Sequence, residues 1–342
     1  MSHEPRAILF GCAGERLSGA ERRFFAAADP AGLILFRRNC RDPEQVRALI
    51  ADFREAVGRD APPVLIDQEG GRVARLRPPN WRGYPAAARL AALPEAEAAV
   101  RLGARLIADD LAALGVTVDC MPVLDLAVPG ADAVIGDRAY GGDPATVARL
   151  GAAVCEGLLA GGVTPVVKHI PGHGRARVDS HRALPVVETD AALLAAEDFA
   201  PFRALAAPPG GAAIWAMTAH IVYPSLDGSR PATLSPAVIG GAIRGAIGFG
   251  GVLVSDDIEM GALAGPVADR VAEALAAGCD LVLHCSGDLE SMREAADAAA
   301  PLTPDAAARL ARSEALRWQS RRPFERSAAE ARFDALTGAL AG

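Results

Sequence analysis

"PATVARLGAAVCEGLLAGGVTPVVKHIPGHG", Pro144 to Gly174, holds one complete helix-to-strand unit. Pro144 suits a first helical position, and Asp143 before it suits the N-cap. Apolar residues at helical spacing run to Ala160, and Gly161 stands where a C-cap is wanted. The run Thr164–His169 is apolar without alternation, which predicts a parallel strand covered on both faces. It ends abruptly in Lys168 and His169.

The same pattern recurs outward in both directions. Apolar runs lie at Ala7–Gly11, Gly32–Phe36, Pro63–Asp67, Gly115–Cys120, Ala212–His220, Gly251–Asp256 and Cys279–Cys285. Helical spacing marks Ala96–Leu114, Ala191–Ala207, Pro236–Ile247 and Pro266–Ala277, with Gly115 and Gly278 at further C-cap positions. Eight strands alternating with helices predict a single-domain α/β protein, a (β/α)8 TIM barrel. A doubly wound open sheet is the runner-up, but no GxGxxG follows the first strand. The chain, residues 1–342, reads as one catalytic barrel with a helical and surface tail from about 303.

Polar residues gather where the strands end: Asp67, Asp119, Lys168, His169, His220, Asp256 and His284. Barrel enzymes build their sites at that end. The composition narrows the partners. Net charge is -7, with no basic stripe, so nucleic acid is not expected. Six cysteines without a CxxC pair read as free thiols in a reducing compartment. No signal peptide or bilayer-spanning run is visible, so the expectation is a cytoplasmic monomer with no membrane partner.

Four stretches carry chemistry. In "GVLVSDDIEMGA" strand alternation allows only one of Asp256 and Asp257 to enter the barrel mouth, and the plain alternative is a helix cap. "IDQEGGRVARLR" offers Asp67, Glu69, Arg72, Arg75 and Arg77 around two glycines, as a gripping loop or a solvated turn. "IGDRAYGGDP" places Arg138 ahead of the Pro144 helix, as a solvated charge or an oxygen-binding fork. "KHIPGHGRARVDSH" sets Asp179 two residues before His181, so the carboxylate can orient the imidazole as a general acid/base. His173 reads as structural, and Gly172 and Gly174 read as loosening the loop. Zinc held by His169, His173 and His181 is the second choice, since no HExxH spacing is present.

"KHIPGHG…DSH", "IDQEGGRV", "DRAYG" and "VSDDIEM", in this set, resemble the bacterial β-N-acetylhexosaminidases of glycoside hydrolase family 3. The resemblance runs from about Leu33 to Leu263 and continues in "AAGCDLVLHC". It implies a (β/α)8 barrel, no cofactor and no metal, and a carbohydrate partner. It assigns His181 as acid/base, Asp179 as its partner and Asp256 as nucleophile. Sugar binding falls on Asp67, Arg75, Arg138, Lys168 and His169. Ile170 replaces the usual Phe, and Ala139–Tyr140 replaces Ser-Phe, which bears on fine specificity. The implied activity is retaining exo-hydrolysis of β-linked N-acetylglucosamine from peptidoglycan-derived muropeptides, of the single-domain, cell-wall-recycling type. Three alternatives stay open: a phosphorylase on the same fold, a metal-dependent hydrolase, and a catalytically dead barrel that senses muropeptides.

Overall fold

The computed structural model describes residues 4–207 and 210–340. Eight strands close into a barrel: Arg6–Phe10 (β1), Pro30–Leu35 (β2), Val64–Ile66 (β3), Val118–Asp119 (β4), Thr164–Ile170 (β5), Trp215–Thr218 (β6), Val252–Asp257 (β7) and Leu281–His284 (β8). Every neighbouring pair is parallel, and β8 returns to β1 with Val282 opposite Ile8. That closing ladder excludes the open sheet. The predicted (β/α)8 barrel is present.

Side chains alternate along each strand. Leu9, Ile34, Leu65, Val166, Val254 and Leu281 fill the barrel interior, while Ile8, Leu33, Val64, Val167, Leu253 and Val282 pack outward under the helices. Burial of both faces explains the unbroken apolar runs.

The helices Ala96–Leu114 and Pro144–Ala160 have the expected bounds, and Asp143 caps the second by accepting the Thr146 N–H at 2.8 Å. Other boundaries differ. The strand expected at Gly115–Cys120 shrinks to two residues. Gly115, at φ 89°, ends the preceding helix, and the Val116 N–H bonds back to Leu111. The expected helix Ala191–Ala207 divides into Ala191–Ala196 and Phe199–Ala206. Between them Asp198 is buried and accepts from Arg175 Nε at 2.6 Å. Val238–Ala246 winds as a π-helix.

The tail forms two helices, Pro304–Ser320 and Arg326–Thr337. The first lies across the strand starts. Trp215 Nε1 donates to Ser313 Oγ at 3.0 Å, and Arg317 Nη1 donates to the Gly162 carbonyl at 2.7 Å. The polar strand-end residues lie at the opposite mouth, where the strands finish. Among the described residues no helix is long and apolar enough to cross a membrane.

Candidate active site

A pocket of about 290 Å³ opens at the C-terminal ends of the strands. Asp67, Arg75, Arg138, Lys168, His169, His181 and Asp256 all line it, joined by Arg72, Asp257 and an apolar wall that includes Phe36, Met217, Met260 and Leu283. A larger cleft of about 420 Å³ lies elsewhere, beside Arg23, Phe24 and Arg293, and gathers no comparable set.

The pocket base is an ion-pair lattice. Lys168 Nζ stands 2.8 Å from Asp67 Oδ1 and 2.7 Å from Glu69 Oε1. Arg75 Nη2 donates to Asp67 Oδ2 at 2.9 Å, and Arg138 forks onto both oxygens of Glu69 at 2.8 Å each. Burial works against ionising either carboxyl. The adjacent Lys168, with Arg75 for Asp67 and Arg138 for Glu69, outweighs it and holds both below their ordinary range. Glu69 is therefore a fixed anion in the lattice.

Gly70 and Gly71 turn the chain back between these charges at φ 92° and 56°, in the left-handed region. The resulting hairpin, Gln68–Gly70 against Val73–Ala74, returns Arg75 to Asp67. Asp119 pins its start by accepting the Gln68 N–H at 2.9 Å.

Two β-bulges decide which strand-end residues face the pocket. On β5, Lys168 pairs with Met217 and Ile170 with Thr218, so two steps oppose one. On β7, Val254 pairs with Leu281 and Asp257 with Leu283, so three steps oppose two. Bulges re-aim side chains. Lys168 and His169 both reach the pocket, and so do Asp256 and Asp257. The expectation that Asp257 faces away is corrected here, because alternation fails at the bulge.

Asp256 Oδ1 accepts the Asp257 N–H at 2.8 Å, and Asp256 Oδ2 lies 3.9 Å from His169 Nε2. Burial raises the Asp256 carboxyl, but His169 leads the charges that hold it below its ordinary value. Asp257 is the opposite case. Burial first, and then the neighbouring Asp256 charge, push it up to about 7. Adjacent carboxyls in one pocket thus have divergent proton affinities.

The loop after β5 brings in His181. Its Nδ1 stands 2.8 Å from Asp179 Oδ1, which also accepts the His181 N–H at 2.9 Å. Burial pushes Asp179 up, and the His181 N–H and ring more than offset it, so the carboxyl lies below its ordinary range. The root of this loop is packed rather than loose. Residues 171–174 are buried, and a side chain at Gly174 would collide with the Leu126 carbonyl. His173 is buried outside the pocket, with Nε2 3.1 Å from Ser180 Oγ.

Of the other strand-end residues, Asp119, His220 and His284 lie outside the pocket lining. His220 is a brace: its Nε2 donates to the Asp257 carbonyl at 2.9 Å, and Nδ1 meets Thr233 Oγ1 at 2.7 Å. Sequence reasoning passed over Asp125. Its only signal was an acid inside the apolar run "MPVLDLAV". It is fully buried against His169. Among the described residues no three His, Cys, Asp or Glu side chains are grouped to hold a metal ion. His169, His173 and His181 each engage a different partner.

Residues 11–312 match the glycosyl hydrolase family 3 N terminal domain. The chain belongs to that family. A β-hexosaminidase of Alkalilimnicola ehrlichii is 41% identical over 82% of this chain and 80% of its own length. NagZ of Neisseria gonorrhoeae, solved in complex with N-trifluoroacetyl-D-glucosamine, superposes with a TM-score of 0.83 at 33% identity, over 100% of this chain and 99% of that one. A family 3 β-N-acetylglucosaminidase from Paenibacillus also gives 0.83, at 35% identity. There the match covers 92% of this chain and spans 61% of the longer Paenibacillus chain. This chain is a glycoside hydrolase of family 3.

Proposed function

We propose that the protein is a retaining exo-β-N-acetylglucosaminidase that removes terminal β-linked N-acetylglucosamine from peptidoglycan-derived muropeptides in the cytoplasm. The carrying observation is that Asp256 and the Asp179-paired His181 meet in one pocket above the Asp67–Lys168–Glu69 lattice. The activity named for the hexosaminidase relatives, and the glucosamine derivative bound by the Neisseria protein, support the sugar assignment.

Asp256 attacks the anomeric carbon as its carboxylate. His181 gives a proton to the leaving oxygen, and a covalent glycosyl-enzyme forms. Water then attacks that carbon, His181 takes its proton, and Asp256 is released. Two inversions give net retention. Asp179 orients the ring, holding its Nδ1 and its main-chain N–H on one oxygen. Asp67, Arg75, Arg138, Lys168 and His169 bind the sugar. The reading needs no cofactor and no metal.

A second reading rests on the imidazole itself. A histidine acid/base repels an incoming anion less than a carboxylate does, so phosphate can replace water as acceptor. The test is turnover of an aryl β-N-acetylglucosaminide beside the glucoside and galactosaminide analogues, with and without phosphate. The N-acetylglucosaminide is expected to be the best substrate and to release free sugar. Preference for the glucoside overturns the sugar assignment, and phosphate-dependent release of a sugar 1-phosphate establishes the phosphorylase.

A further inference from the structure

The segment after β4 runs beside β5. Val123 bridges to Lys168, and the Leu124 N–H bonds to the Lys168 carbonyl at 2.7 Å. This delivers Asp125 beneath the pocket, 1% exposed. A buried carboxylate must be matched by donors, and every matching donor here comes from two residues. Asp125 Oδ2 faces His169 Nδ1 at 2.7 Å and the His169 N–H at 3.2 Å. Asp125 Oδ1 takes the His169 N–H at 3.1 Å and the His173 N–H at 2.6 Å. No Lys or Arg pairs with it among the described residues.

We propose that Asp125 is a positioning residue that fixes which nitrogen His169 presents to the sugar and to Asp256, and that anchors the root of the loop carrying His181. The mechanistic part rests on the glycosidase reading above. An ionised carboxylate only accepts, so Nδ1 of His169 carries a hydrogen and Nε2 is the nitrogen turned to the pocket. Nε2 is the atom 3.9 Å from Asp256 Oδ2. The His173 contact places the same carboxylate at the start of the loop that reaches Asp179 six residues later and His181 eight residues later. Tyr223 braces that root from the other side, its hydroxyl donating to the Gly172 carbonyl at 2.7 Å. One buried acid thus links the sugar seat to the loop bearing the proton donor.

Asp125→Asn separates this role from simple packing. With the amide oxygen in the Oδ1 position to keep the two backbone donors, the amide NH2 faces His169 Nδ1 and donates to it. The ring cannot then keep a hydrogen on Nδ1, and any ring hydrogen that remains is on Nε2. Long-range proton–nitrogen spectra of the unliganded protein are expected to show a protonated His169 Nδ1 in wild type and an unprotonated Nδ1 in Asp125→Asn. A wrong tautomer is costly, so kcat/KM on the aryl N-acetylglucosaminide falls roughly 10²-fold or more. His169→Ala and the double variant lose the same amount, because Asp125 acts through that ring. An unprotonated Nδ1 in wild type overturns the proposal without needing any variant to fold. Losses that multiply in the double variant, or an Asp125→Asn with unchanged tautomer and rate, also overturn it. Failure of the wild type to cleave the sugar defeats the glycosidase reading, while the spectra still decide the tautomer.

Discussion

Asp179 Oδ1 holds His181 twice, accepting the ring Nδ1 hydrogen at 2.8 Å and the main-chain N–H at 2.9 Å. A single oxygen therefore sets both the position of the residue and the direction of its ring. The remaining ring nitrogen, Nε2, is free to face the pocket that His181 lines.

If His181 is the proton donor, its loss matters most where the leaving group is poor. His181→Ala is expected to lose on the order of 10²–10⁴-fold on a disaccharide and far less on a nitrophenyl glycoside. Asp179→Asn shows a weaker form of the same contrast, since it removes the charge but retains an acceptor. Equal losses on both substrates, with glycosylation rate-limiting, assign His181 to substrate positioning instead.

Asp256→Ala is expected to lower turnover by roughly 10⁴-fold or more, and a slow 2-fluoro sugar is expected to leave its adduct on Asp256. Mass spectrometry of the labelled peptide checks this. An adduct on Asp257, which borders the same pocket, transfers the nucleophile's role to it.

Asp257 also makes stability depend on pH. Its folded-state pKa, about 7, lies above the ordinary 3.8. Between these values the unfolded chain gives up the proton first, so stability declines as pH rises from about 4 to 7. Asp257→Asn carries no such penalty. Its melting temperature is expected to match wild type at pH 4 and exceed it at pH 8, and a constant difference across that range refutes the account.

His173 acts in the opposite direction. Burial leads the causes that lower its pKa to about 4, against an ordinary 6.5. The unfolded chain binds the proton first as pH falls through this window, so stability is full above about 6.5 and is lost toward 4. The shift corresponds to roughly 3 kcal/mol. Urea denaturation of His173→Gln is expected to show a shallower acid decline than wild type.

Lys168 is 2% exposed and bonded to two carboxylates. Lys168→Met leaves Asp67 and Glu69 short of a buried cation, at a cost of about 3–5 kcal/mol. A denaturation midpoint indistinguishable from wild type refutes that role for the lysine.

The barrel was legible in the chain because closure buries both faces of every strand, and that demand writes itself locally. Val166 and Val167 must both be apolar although they point opposite ways. Asp143 before Pro144 and Gly115 after Leu114 announced helix ends by equally local chemistry. The pair Asp179 and His181 was readable for the same reason, since two residues apart is within reach of one hydrogen bond.

What the chain did not disclose lies in pairings between distant segments. The partner of Glu69 is Arg138, 69 residues away, and the partner of His169 is Asp125, 44 residues away. The bulges on β5 and β7 exist only as a mismatch of step counts between neighbouring strands, so a period-two rule placed Asp257 wrongly. Local sequence determines which face a residue prefers and where an element stops. Ladder register and the surroundings of a buried charge arise only when the barrel closes, and they decide which carboxyl in the pocket is ionised.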